Sequence, residues 1–272
     1  MAKAKIPKTI NDFGNQWEIH GELRENKWTS DQMFRDHFPN DFDFSIFEGA
    51  RVLEVGSGSG RILHMLSAYK PCELIGVEPS KGFSNLEANT SGIPNLKLLN
   101  TSGSEFKESD LGVVVSLGVI HHIPEAKEVT AHIYESLADG GYFLMWVYGK
   151  ENNQPYVLFQ AVARKFTKLI PDLALDVISL GISYAFDLYG TFSKYIFKGK
   201  LPLSMYYINV YSGCGRREKK YIIFDQLNPD YSKYYTEQEV IELLSASGFG
   251  EILTFHRHGY SWTAIARKTS EM

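Results

Sequence analysis

Apolar positions along residues 48–150 fall into two alternating rhythms. Five short, nearly continuous apolar runs, at 51–55, 73–78, 96–100, 111–117 and 141–147, predict buried strands. Between them, at 61–69, 82–90 and 125–137, the pattern changes to the three-and-four spacing of a helix with one apolar face. Such alternation predicts an α/β fold, a mostly parallel sheet with helices on both faces. The rhythm resumes late in the chain. A helix is expected at 236–247 and two strands at 251–256 and 261–267, joined at His258 and Gly259 by a turn short enough for a hairpin.

Two segments stand outside this rhythm. Residues 1–47 are polar and aromatic, with a helix expected near 28–37, and read as an N-terminal helical lid. Residues 151–224 separate the fifth strand from the last helix and are apolar with scattered charges between 156 and 197. The stretch 173–197 approaches the length of a membrane span, but Asp176, Asp187 and Lys194 interrupt it. An inserted helical cap is the preferred reading, with peripheral membrane contact as a further one. The chain therefore divides into a lid (1–47), a first part of the core (48–150), an inserted cap (151–224) and a closing helix and hairpin (225–272).

Composition narrows the function classes. A formal net charge of −4 over 272 residues argues against general nucleic-acid binding, which draws on a basic surface. Cys72 and Cys214 have no metal-type spacing, so a reducing, cytoplasmic setting is expected and no metal site is. The basic start at Met1–Lys5 has no apolar run behind it, so a signal peptide is not expected. Oligomeric state is not readable from these features.

The candidate chemistry begins at the end of the first strand. Glu54 and Val55 are followed by Gly56, Ser57, Gly58, Ser59 and Gly60, and then by a helix. Glycine serves where the backbone needs positive φ or where a ligand approaches closely. A strand, glycine turn and helix together offer a ligand free amides and a helix N-terminus. Dinucleotide-binding loops space their glycines as G-x-G-x-x-G, and Arg61 stands where the third would fall. An acid at Glu54 is unfavourable beside a pyrophosphate and favourable beside a cation. Glu78, at the end of the second strand and about 20 residues on, stands where ribose-binding acids occur.

In this form the loop resembles motif I of class I S-adenosylmethionine-dependent methyltransferases. The run from Val113 to Pro124, through Leu117, His121 and His122, resembles motif IV of their small-molecule branch. The passage from Leu137 through Gly140 and Gly141 into Phe143 is similar to another stretch of that family. The resemblance implies a Rossmann-like, seven-stranded, mostly parallel sheet, with S-adenosylmethionine as cofactor and S-adenosylhomocysteine as product. It implies cofactor contacts at Glu54, Gly56, Ser57, Gly58, Gly60, Glu78, Pro79, Ser80 and Leu117; Trp17, a further cofactor contact, or Tyr148 is expected to offer an aromatic face to the sulfonium. Where the family often presents an aspartate to the adenine amino group, this chain has Ser102 and Ser104, and Ser104 is the nearest match. The Asn/Asp-Pro-Pro-aromatic tetrad of DNA amino-methyltransferases is missing, and Pro71-Cys72 lies too early for a cytosine nucleophile.

The acceptor side is less specific. His121 and His122 are candidate general bases, since imidazole titrates near neutrality; packing and helix capping are the plainer alternative. Tyr148 lies at the carboxyl edge of the fifth strand, where open α/β sheets bind ligands. Lys233, Arg257 and His258 are hard to bury without a partner, so substrate contact is expected there. Lysines and arginines gather between Lys194 and Lys220, either a solvated face or a surface steering an anionic partner. The function expected is methyl transfer to oxygen or nitrogen of a small molecule, partly apolar and partly anionic, such as a sugar, lipid-linked or natural-product acceptor. An NAD(P)-dependent oxidoreductase, another chemistry on the same cofactor such as propylamine transfer, and a non-catalytic cofactor-binding module are the alternatives.

Overall fold

The computed structural model describes residues 8–22, 30–167 and 169–269. Among the described residues, seven strands form one sheet in the order β3-β2-β1-β4-β5-β7-β6. They are β1 (Arg51–Val55), β2 (Glu73–Val77), β3 (Leu96–Leu99), β4 (Leu111–Leu117), β5 (Leu137–Tyr148), β6 (Glu251–Arg257) and β7 (Ser261–Arg267). β1 to β5 are mutually parallel, and β7 runs antiparallel to both β5 and β6. β6 is thereby parallel to the first five, which brings its turn to their carboxyl edge. The order reverses beside β1, the switch point at which open α/β sheets leave a ligand crevice.

Both faces of the sheet are covered, as the apolar runs predict. Leu53 and Val55 pack toward α5 (Ala126–Ser136) and α10 (Glu237–Ser245), while Val52 packs toward α3 (Arg61–Ser67) and α4 (Phe83–Thr90). Thr236 and Glu239 form a reciprocal capping box that starts α10. β5 begins four residues before its expected start, with Leu137 paired to Leu111 ahead of a register shift. Gly140 at φ 78° makes that irregular entry accessible to the backbone.

The N-terminal helices differ from the expectation. The helix expected near 28–37 is only α2 (Asp31–Arg35), capped by Ser30, with Trp28 and Thr29 outside the described residues. A longer helix, α1 (Lys8–His20), lies ahead of it. The cap contains α6 (Gln154–Thr167), α7 (Asp172–Ile196), α8 (Ser204–Asn209) and α9 (Arg216–Leu227). α1 is tied to this cap by Asn15 donating to Asp172 at 3.1 Å, and to the chain beyond α9 by the Asp230 amide donating to Asp12 at 3.0 Å.

Candidate active site

A cleft of about 810 Å³ runs along the carboxyl ends of the parallel strands, roofed by α1, α8 and α9. Its floor is the loop after β1. Gly56, Gly58 and Gly60 have φ of 80°, 53° and 90°, a conformation that side chains rarely adopt. Neighbours leave no room for one either. A Cβ on Gly58 would meet the Trp17 indole at 2.6 Å, and one on Gly60 would meet Thr90 at 2.4 Å. The sequence thus dictates both the bend and the close seating of α3 on α4.

Two acids flank this loop in different states. Glu78 is anchored: its Oε2 accepts the Gly58 amide at 2.8 Å and its Oε1 the Ser80 amide at 3.0 Å. Each oxygen keeps a lone pair for a further donor. Glu54 is 2% exposed, and its Oε2 has no hydrogen-bond partner among the described residues. Burial pushes its pKa up to about 8, against the opposing pull of Ser57 and Arg61. A buried acid without a partner for one oxygen is costly unless something cationic meets it.

The cleft collects most of the residues singled out in the sequence. Glu54, Gly56, Ser57, Gly58, Glu78, Pro79, Ser80, Ser104, Leu117, Trp17, His122, Tyr148 and Arg257 all line it, while Gly60, at the N-cap of α3, lies outside the lining. Ser102 lies beside Ser104, with hydroxyls 3.2 Å apart, and donates to Glu105. His121, Lys233 and His258 are not brought to the lining. His121 is fully buried, its ring centroid 4.0 Å from that of Tyr148 and tilted by 39°, and neither of its ring nitrogens has a hydrogen-bond partner among the described residues. Burial holds its pKa well below the ordinary imidazole value, so it is neutral packing material. Lys233 lies over the Tyr235 ring and pairs with Glu239 at 3.5 Å. His258 bonds Asp36 at 2.9 Å and Asn209 at 3.2 Å, on the outer side of the hairpin turn.

His122 does reach the cleft, but its basicity is weak. Its Nδ1 is 3.0 Å from the Tyr231 carbonyl, which fixes the proton there and leaves Nε2 with the lone pair. Burial pushes its pKa down to about 3. Arg257 is 2% exposed and donates through Nε to the Asp36 carbonyl at 2.8 Å and carboxylate at 2.9 Å, with a further bond to the Tyr260 hydroxyl. It therefore joins the hairpin turn to α2 while its edge lines the cleft.

On the cap side a polar cluster joins Tyr148 to Gln16, Tyr221 and Asp225, three residues that the sequence reading did not assign. Gln16, fully buried on α1, donates to Asp225 at 2.7 Å and to the Tyr221 hydroxyl at 2.8 Å. The Tyr148 hydroxyl donates to the other Asp225 oxygen at 3.3 Å. Burial raises the Asp225 pKa, against the hydrogen bonds of Gln16 and Tyr148. The available signal was a lone acid in the apolar helix run from Tyr221 to Leu227, yet its partners come from residues more than 70 positions away. Trp146, Tyr206 and Tyr260 complete an aromatic wall on the same side.

Comparison with known proteins bears on the fold and on the class of domain. Residues 53–143 match a family model described as a methyltransferase domain. A curated tRNA U34 carboxymethyltransferase of Desulfotalea psychrophila is 28% identical over 156 residues, covering 52% of this chain and 43% of that protein. The chain thus spans less than half the length of that relative. Among solved structures, a Haloferax volcanii methyltransferase complexed with the Trm112 methyltransferase activator superposes with a TM-score of 0.56 at 13% identity, covering 97% of this chain and 99% of the other. Human N-acetylserotonin methyltransferase, solved with SAM, gives 0.52 at 13% identity, covering 94% and 54%. At such identities the likeness is one of fold.

Proposed function

The chain carries a methyltransferase domain on the class I fold, and from that premise we propose that it binds S-adenosylmethionine on the glycine loop and methylates an oxygen or nitrogen of a small acceptor. The observation that carries this reading is the unpartnered Glu54 oxygen, buried beside three left-handed glycines. A cationic ligand there would draw off the Glu54 proton and ionise the carboxyl. A pyrophosphate would instead find the Gly58 amide, one of the loop donors it needs, already engaged by Glu78. The residues therefore fit an adenosyl sulfonium better than a dinucleotide.

Glu54 and the glycine loop would hold the amino-acid end, Glu78 the ribose hydroxyls, and Leu117, Ser102 and Ser104 the adenine. Bound in this way, the cofactor supplies an electrophilic methyl on a sulfonium. The chain's own contribution is position: oriented reactants can gain on the order of 7–11 kcal/mol over free encounter. Trp146, Tyr148, Tyr206 and Tyr260 present apolar faces that exclude water from the acceptor side. Where the acceptor is a hydroxyl, Asp225 takes its proton, because a buried carboxyl raised from its ordinary value is a better base than His122 at about 3.

Calorimetry with S-adenosylmethionine, S-adenosylhomocysteine, NAD and NADP tests the reading. Binding of the first two alone is expected, and binding of a dinucleotide alone would overturn it. A second reading, carboxymethyl transfer, is favoured by Arg61 in the cleft lining, where a guanidinium suits a carboxylate on the moving group. The mass gained by a modified acceptor separates the two. Transfer RNA belongs in the acceptor panel because of the curated relative, although a net charge of −4 favours a small molecule.

A further inference from the structure

We propose that the outer face of α6 and α7 rests on an anionic lipid bilayer, with α7 lying along the surface. Both helices are inverted relative to a soluble cap. On α7 the buried residues are chiefly small or polar: Ser179, Ser183, Gly190 and Ser193, with Leu175 as the apolar exception. Outward stand Leu173 (76% exposed), Val177 (66%), Leu188 (75%), Phe192 and Tyr195 (73%). On α6 the buried residues are Gln160 and Arg164, while Leu158, Phe159, Val162 and Phe166 are exposed. Between Leu173 and Phe192 no exposed position of α7 carries a charge. An apolar face of this extent marks an interaction surface.

Charge identifies the occupant. The three acids between residues 154 and 205 all turn inward. Asp172 accepts from Asn15, Asp176 pairs with Lys220 at 2.7 Å, and Asp187 pairs with Arg216 and Lys219, each at 2.7 Å. Lys165, Lys194, Lys198 and Lys200 remain exposed. A second copy docked by twofold symmetry would set these lysines against one another, whereas anionic headgroups complement them. Tyr184 and Tyr195 supply aromatic rings of the kind found at a membrane boundary.

α7 is 25 residues long and contains an 18-residue window with a mean hydropathy of 1.3, long and apolar enough to cross a membrane. Its packing favours lying flat. The polar face is bonded to α9, which carries Arg216, Lys219 and Lys220 and whose other side lines the cleft with Tyr221 and Asp225. Crossing would take that charged helix into hydrocarbon. Lying flat leaves the cleft two helices, α7 and α9, above the lipid.

The test is vesicle flotation of the purified full chain, which requires neither cofactor nor acceptor and so stands apart from the methyl-transfer reading. The chain is expected to float with vesicles of phosphatidylcholine and phosphatidylglycerol, less with phosphatidylcholine alone, and less as salt rises. Val177→Glu with Leu188→Glu should lower partitioning at least tenfold while melting as the parent does, since both positions are exposed. Lys194→Glu, Lys198→Glu and Lys200→Glu together should lower it on the order of 100-fold, only on anionic vesicles. In the unaltered chain, hydrogen exchange with vesicles should show new protection along Asp172–Ile196. A chain that stays with the soluble fraction, protection confined to other segments, or a dimer dissolved by Val177→Glu without vesicle binding would each overturn the proposal.

Discussion

The Gly58 amide donates to Glu78 Oε2 at 2.8 Å, so the acid that ends β2 fixes the bend that follows β1. Ser80 donates to the other oxygen, and the two strand ends are thereby locked across the mouth of the cleft. Charge-assisted bonds of this kind contribute roughly 1.5–3 kcal/mol each when buried.

Glu78→Ala should therefore act at two levels. The loop loses its anchor, lowering the melting temperature by a few degrees, on the order of the loss of one or two such bonds. Cofactor affinity should fall on the order of 100-fold, because the ribose acceptor and the loop geometry go together. Calorimetry with S-adenosylhomocysteine reads the second effect and thermal unfolding the first. Unchanged affinity would remove the ribose role of Glu78.

Glu54 gives a pH signature. Its pKa in the folded protein is about 8 against an ordinary 4.5, so between these values the folded state holds a proton that the unfolded chain releases. Stability of the free protein should fall as pH rises through that window, by at most about 1.4 kcal/mol per unit. Glu54→Gln should remove this slope. Affinity for the sulfonium cofactor should show the opposite trend, rising with pH to about 8 as less work is needed to ionise the carboxyl. Calorimetry in buffers of different ionisation enthalpy should detect proton release on binding below pH 8, and none for Glu54→Gln.

The sheet and the glycine loop were legible because their signals are local. Apolar runs and helix spacing fix strands within a few residues, and β1, β4 and β7 coincide with their expected bounds. The loop is legible because positive φ at Gly56, Gly58 and Gly60 restricts the residue type. The acceptor side was less so, since it is built from side chains far apart in sequence. Gln16 and Asp225 meet across 209 positions, and Arg257 and Asp36 across 221. Lys233 illustrates the converse: its charge suggested a ligand contact, but it stays partly exposed and Glu239, at the start of α10, satisfies it. Adjacent histidines carried no mark to separate His122, on the cleft, from His121 beneath Tyr148.

The pair formed by Arg257 and Asp36 should matter for stability more than for chemistry. Burial works to raise the Asp36 pKa, but the His258 hydrogen bond and the charge of Arg257 outweigh it and leave the value lowered. For an acid depressed in this way the stabilisation is present above its ordinary value of about 3.8 and is lost as pH falls through the folded value. Asp36→Asn should cost about 3 kcal/mol at neutral pH, because Arg257 is left buried without its countercharge. Urea unfolding of parent and variant measures it. The difference should narrow toward pH 3, and a gap that is independent of pH would argue against an ionic origin.

Asp225 separates chemistry from binding. Its two oxygens are held by Gln16 and Tyr148, and it lines the cleft from the cap helix α9. Asp225→Asn preserves the shape and removes the base. For a hydroxyl acceptor, kcat should fall by roughly 100-fold to 10,000-fold, the usual contribution of a positioned base. Affinity for S-adenosylhomocysteine should change little, since none of its expected contacts is touched. Raising the pH should recover part of the rate in the variant if hydroxide or an ionised acceptor substitutes for the lost carboxylate. An acceptor amine, already carrying its lone pair, should react with kcat reduced only a few-fold. Measuring kcat and KM for both acceptor types against pH decides whether Asp225 moves a proton or only holds Tyr148 in place: equal losses for amine and hydroxyl would assign it the positioning role.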